Sequence, residues 1–103
     1  MTTPVVQDNP DLARYEVYDD GELAGFVTYR RSEGILALNH TEVDDAFEGK
    51  GIGSALARGV LDAARADGLA VHPYCPFVAG YIRRHPDEYV DLVPEEQRPK
   101  FGL

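Results

Sequence analysis

Three glycines at alternate positions, Gly49, Gly51 and Gly53, stand between an apolar stretch and an amphipathic one. The stretch before them, residues 34–43, carries Ile35, Leu36, Ala37 and Leu38 in succession and reads as a strand that is apolar on both faces at its start, hence central. The stretch after them repeats Ile52, Leu56, Val60 and Ala63 or Ala64 at helical spacing. Glycine tolerates positive φ, so such a loop can aim successive backbone N–H groups into one concavity. The helix behind it adds unpaired amides and the positive end of its dipole. Strand, loop and helix in this order make an anion site suited to a phosphate or pyrophosphate.

Two familiar phosphate loops do not fit. A Walker A loop places Ser or Thr directly after its lysine, whereas Lys50 is followed by Gly51. A dinucleotide fingerprint has Gly-x-Gly-x-x-Gly near the start of a βαβ unit; here the spacing is Gly-x-Gly-x-Gly and three antiparallel strands precede it. Those strands are expected at residues 13–18, 23–31 and 35–43, joined by turns at Asp19-Asp20-Gly21-Glu22 and Ser32-Glu33-Gly34. Asp67-Gly68 ends the helix, and Leu69-Ala70-Val71-His72-Pro73 forms a fourth strand, parallel to the third across the helical crossover. Pro76 suits the first turn of a second helix running to Arg84, and a short one follows His85-Pro86. The expected fold is α/β, a mostly antiparallel sheet with a βαβ-like crossover. Residues 1–10 read as a frayed lead-in, 11–93 as the domain, and 94–103 as a polar, Pro-interrupted tail with little regular structure.

The chain has 103 residues, enough for one core, and no apolar run approaching the ~18 residues of a membrane span. A net charge of −8 argues against a general nucleic-acid surface, which draws on excess Lys and Arg; it either favours a cationic partner such as an amine or only keeps the protein soluble. One cysteine makes no internal disulfide, and the N-terminus lacks the regions of a signal peptide, so the expected setting is the cytoplasm. One cysteine and three dispersed histidines have no zinc-site spacing, and no metal is expected.

Residues 43–53, Val-Asp-Asp-Ala-Phe-Glu-Gly-Lys-Gly-Ile-Gly, resemble the acetyl-CoA loop of the GNAT N-acetyltransferases, commonly written (Arg/Gln)-x-x-Gly-x-(Gly/Ala). Together with His40-Thr41-Glu42-Val43, Pro73-Tyr74-Cys75-Pro76-Phe77 and Arg83-Arg84-His85-Pro86, the loop is similar to that of a small single-domain, YidJ-like group within that superfamily. The resemblance covers most of residues 13–93 and implies a minimal GNAT fold. It also implies acetyl transfer from acetyl-CoA to a primary amine, with Glu48, Gly49, Lys50, Gly51, Ile52, Gly53 and Ser54 around the pyrophosphate. Glu48 departs from the usual Arg or Gln, so its side chain is expected to point away. Thr41, Glu42 and Val43 would pair with the pantetheine arm where strands three and four splay, since Pro73 ends ladder pairing across the gap. Of the adjacent Arg83 and Arg84, the one taken to meet the 3′-phosphate of coenzyme A is Arg83.

Transfer needs a base for the amine and an acid for the departing thiolate. His40, on the strand just ahead of the cofactor segment, is an imidazole suited to proton transfer near neutrality, or else a core or surface residue. Cys75 precedes the second helix, whose N-terminus favours a thiolate. It is open to three readings, as nucleophile, as acid and as a small buried hydrophobe. By the resemblance Tyr81 lies near the place of the acid tyrosine of many GNAT enzymes, with core packing the preferred reading; His72 reads as structural and His85 as a helix cap. GNAT enzymes commonly carry helices between their first two strands, where this sequence offers only Asp19 to Glu22. An open acceptor side follows, fit for a protein or peptide amine. A non-catalytic acyl-CoA-binding or protein-interaction module is the alternative.

Overall fold

The computed structural model describes residues 3–47 and 51–103. Five strands, β1 (Val5–Asn9), β2 (Arg14–Asp19), β3 (Glu22–Ser32), β4 (Ile35–Val43) and β5 (Ala70–Pro73), form one sheet in chain order. The first four are antiparallel, and β5 runs parallel to β4. Helix α1 (Ile52–Ala66) makes the crossover between β4 and β5; α2 (Pro76–Arg84) and the short α3 (Pro86–Tyr89) follow. This is an α/β fold with a mostly antiparallel sheet, as the sequence implies.

Local chemistry accounts for the hairpins. Asp20-Gly21 and Glu33-Gly34 each hold two successive positive φ angles, the type I′ pattern whose twist matches that of paired strands. On α1 the inward stripe is Ile52, Leu56, Ala57, Val60, Leu61 and Ala64. It packs on Tyr15, Val17, Val27, Leu36, Leu38 and Val71 of the sheet, and Val78, Tyr81 and Ile82 of α2 join the same core.

Three expectations are corrected. The lead-in expected over residues 1–10 contains a strand: Val5–Asn9 pairs with β2 from Val5↔Tyr18 to Asn9↔Arg14, so the sheet has five strands rather than four. This strand sends only one apolar side chain, Val6, onto the core, and its Asp8 is held by the Tyr29 hydroxyl at 2.6 Å. Alternating hydrophobicity is therefore too sparse there to mark a strand. The connector between the first two strands is accordingly the 3-10 turn Pro10–Leu12, not residues 19–22, which form the second hairpin. The tail is also structured, with Glu95–Phe101 a 3-10 helix ending in a buried Phe101. Its anchors are ring contacts of Phe101 with Tyr74 (centroids 5.2 Å) and His72 (6.1 Å), which no local periodicity announces.

One irregularity positions the site. Thr28 pairs with His40 and Tyr29 with Leu38, leaving Asn39 as an extra residue in β4. Before this bulge Leu36 and Leu38 are buried toward the helices; after it Thr41 and Val43 take that side, and His40 and Glu42 lie on the other, exposed. Pairing with β5 stops at Leu38↔Pro73, followed by one last bond from the Cys75 amide to the Leu38 carbonyl at 2.9 Å.

Candidate active site at the split of the sheet

Where β5 ends, residues 39–43 of β4 continue with β3 on one side and, among the described residues, no strand on the other. The start of α1 adjoins this free edge. Gly51 is the N-cap residue with φ 71°, a backbone state that glycine adopts without strain, and a side chain there would meet open space. The first bond closing the helix runs from the Ala55 amide to the Gly51 carbonyl at 3.0 Å; among the described residues no side chain caps the amides before it, and the first turn has no acidic residue. Ile52 is buried, so only its backbone faces the opening, whereas Ser54 is exposed. Val43, Phe47, Gly51 to Ser54 and Phe77 line a recess of about 270 Å³. Phe77 stands so close to Gly53 that a Cβ there would lie 2.6 Å from its ring. The glycine thus lets an aromatic lean over the helix start, a contact that no sequence spacing signals. Glu48, Gly49 and Lys50 lie outside the described residues.

Thr41 and Cys75 meet on the helix side of β4. The Thr41 hydroxyl donates to the Cys75 sulfur at 3.3 Å, and Cys75, N-cap of α2, is buried. His40 lies on the opposite side of the strand, with its Nε2 3.6 Å from Glu42 Oε1 and its side chain 62% exposed. The two candidate proton carriers therefore flank β4 from opposite faces. Beside Glu42 a second recess, of about 340 Å³, is lined by Leu23 to Phe26 of β3 and by Glu42 to Asp45. Glu42, Asp44 and Asp45 bring three carboxylates to it, and no Lys or Arg among the described residues lines it.

Arg83 turns toward the tail. Its Nε donates to the Gly102 carbonyl at 3.1 Å and its second guanidinium nitrogen to that of Phe101 at 3.0 Å. The guanidinium fastens the tail to α2, since a fork of fixed donors suits two successive carbonyls. Tyr81 is core: it is 2% exposed, accepts from Arg58 Nε at 3.3 Å and stacks 4.4 Å from the His85 ring. His72 packs between Tyr74 and Phe101, and the His85 amide closes α2 on the Ile82 and Tyr81 carbonyls. Among the described residues no group of three or more His, Cys, Asp or Glu side chains is placed to hold a metal, and no helix is long and apolar enough to cross a membrane.

Residues 14–92 match the family described as GCN5-related N-acetyl-transferase. The chain belongs to this family. Protein NATD1 of Gallus gallus and that of Homo sapiens are each 38% identical to it over 52 residues, 50% of this chain and 47% and 46% of theirs. The chain spans about half the length of these curated relatives. Among solved structures, a GCN5-like protein from Staphylococcus aureus, determined by NMR in solution, superposes with a TM-score of 0.63 at 24% identity, covering 91% of both chains. Ard1 from Thermoplasma volcanium superposes with a TM-score of 0.50 at 23% identity, over 57% of this chain and 41% of that one. Both likenesses confirm the GNAT fold, whose minimal form this sheet and crossover represent.

Proposed function

We propose that the protein transfers the acetyl group of acetyl-CoA to a primary amine. The observation that carries this reading is the coincidence, among the described residues, of a helix start at Gly51 without a side-chain cap and a strand edge at residues 39–43 without a partner strand. The amides at the start of α1 suit a pyrophosphate, and the free edge of β4 suits the amide-bearing pantetheine arm, which pairs there as an added strand would. Thr41, Glu42 and Val43 supply that edge; Gly51 to Ser54 supply the amides, with Glu48, Gly49 and Lys50 completing the loop in sequence. The acidic recess beside Glu42 favours an acceptor that arrives as a cation.

In the transfer, the amine nitrogen bonds to the thioester carbonyl carbon, the C–S bond breaks and the sulfur leaves as thiolate. His40 takes the proton that the nitrogen loses, on the exposed side of β4. Cys75, behind the strand and held by Thr41, returns a proton to the departing sulfur. An acetyl-cysteine route through Cys75 is the second chemical course. The rival, a non-catalytic acyl-CoA-binding module, draws on the exposure of His40, which leaves the base unshielded from water.

Calorimetric titration with acetyl-CoA and with CoA tests the binding half. Micromolar affinity, roughly −8 kcal/mol, is expected for the wild type. Gly51→Ala is expected to weaken it through backbone strain, and Gly51→Asp to abolish it by adding like charge. No binding to the wild type at millimolar ligand would sink the proposal. Release of CoA thiol in the presence of primary amines tests the chemistry. His40→Gln is expected to slow it roughly a hundredfold with acetyl-CoA binding intact. Unchanged turnover in Cys75→Ala would exclude the acetyl-cysteine route.

A further inference from the structure

The face of β2, β3 and β4 away from the helices holds the one buried charged side chain among the described residues, Glu16, 5% exposed. Its Oε2 takes two contacts from Arg14 at 2.7 Å and one from Asn9 Nδ2 at 3.2 Å, and its Oε1 accepts from the Tyr18 hydroxyl at 2.8 Å. A buried ion pair contributes little net stability, and apolar residues of similar volume often do as well. Nothing in the core needs this pair, since it sits on the opposite side of the sheet.

The strand register shows what it reaches. Glu16, Phe26 and Glu42 lie in one row across three strands; Arg14, Thr28 and His40 lie in the next. The Arg14 guanidinium stacks over the Phe26 ring at 4.5 Å, and the same ring meets the His40 imidazole edge-on, with centroids 6.5 Å apart and planes at 62°. Each member is thus fixed by the one before it: the carboxylate holds the guanidinium, the guanidinium holds the phenyl ring, and the ring abuts the imidazole. His40 needs such support. An imidazole as exposed as this one samples several rotamers unless something selects one, whereas a base must sit within reach of its proton.

We infer that Glu16, Arg14 and Phe26 are positioning residues that hold the His40 imidazole in one orientation over the acceptor side of the proposed transfer site. The inference rests on His40 acting as the base proposed above, but its geometric half is testable without turnover. In the isotope-labelled full chain, side-chain couplings of His40 report its χ1 rotamer. The wild type is expected to show one dominant rotamer, Phe26→Leu an average of several, and Phe26→Tyr the wild-type value again. With n-butylamine as acceptor, Phe26→Leu is expected to lower kcat roughly tenfold while leaving KM for acetyl-CoA within about twofold. Should Phe26→Leu fail to fold, Arg14→Lys keeps the charge, loses the planar stack and is read by the same couplings. A single rotamer retained in Phe26→Leu, averaging already present in the wild type, or an averaged rotamer with unchanged kcat would each overturn the inference. A wild type inactive towards n-butylamine would count against the transfer reading, while the couplings would still decide the ladder.

Discussion

The two faces of the sheet are stabilised by different means. Toward the helices, Val17, Val27, Leu36, Leu38 and Val71 are fully buried against Leu56, Val60 and Leu61, and the packing is almost wholly apolar. On the other face, Glu16, Arg14, Phe26, His40 and Glu42 form a chain of charge, ring and imidazole that remains partly open to water. Apolar burial is non-directional and tolerates exchange at constant volume. Charge-assisted bonds and ring edges fix direction instead. The contrast teaches that this small domain draws its stability from one side and presents oriented groups on the other.

If that division is right, the largest effect belongs to the helix side. Leu56→Ala, at a residue 1% exposed, is expected to cost about 2–5 kcal/mol, read as a lower urea midpoint. A loss below about 1 kcal/mol would mean that the core is looser than its burial indicates.

Arg14→Leu on the open face is expected to cost less, about 1–3 kcal/mol, by leaving the Glu16 carboxylate short of its partner. Burial pushes that carboxyl up, but hydrogen bonds from Tyr18, Arg14 and Asn9 outweigh it and hold it below its ordinary value of 4.5. A depressed value stabilises the folded state above the unfolded pKa, and that contribution is lost as pH falls through the folded one. The wild type should therefore lose stability below about pH 4.5 more steeply than Arg14→Leu does, in urea titrations across acid pH. Parallel curves would remove the carboxylate from the account.

The smallest effect lies at alkaline pH and is strongest on the helix side. Burial, then hydrogen bonding to Asp8, pushes the Tyr29 hydroxyl up to about 12; burial and the bond to Asp62 do the same for Tyr89. The folded state thus binds more protons than the unfolded one, and stability should fall as pH rises from 10 to 12. Absorbance titration of Tyr29→Phe and Tyr89→Phe against the wild type would identify these two among the late-ionising tyrosines, which include Tyr15 and Tyr18.

Much of this architecture is legible in the sequence. Asp-Gly and Glu-Gly turns, the alternation of β2 and β3, the helical spacing of α1 and Pro76 at the start of α2 place most elements within a residue or two. These signals are local. What escapes reading depends on partners distant in the chain. The strand at Val5–Asn9 exists because β2 offers it an edge, and the tail helix because Arg83 and the Tyr74 ring receive it. Among the site residues, Gly51 declares its helix start by pattern, whereas the turn of Arg83 toward Phe101 and Gly102 does not show in Arg83-Arg84-His85-Pro86. The Glu16 ladder is likewise hidden, since only the register brings Arg14 and His40 to opposite sides of one phenyl ring.

The extra residue at Asn39 makes chain length itself a variable of the site. Upstream of it, odd and even positions of β4 follow one assignment of inside and outside; downstream they follow the reverse. A deletion of one residue between Leu38 and Thr41 would merge the two assignments, turning His40 and Glu42 against the helices or Leu36 and Leu38 into water. No single substitution does this, because substitution changes a side chain and leaves the count intact. Side chains along such a strand can therefore be exchanged one at a time, while insertion and deletion at that point rewrite both faces of the strand together.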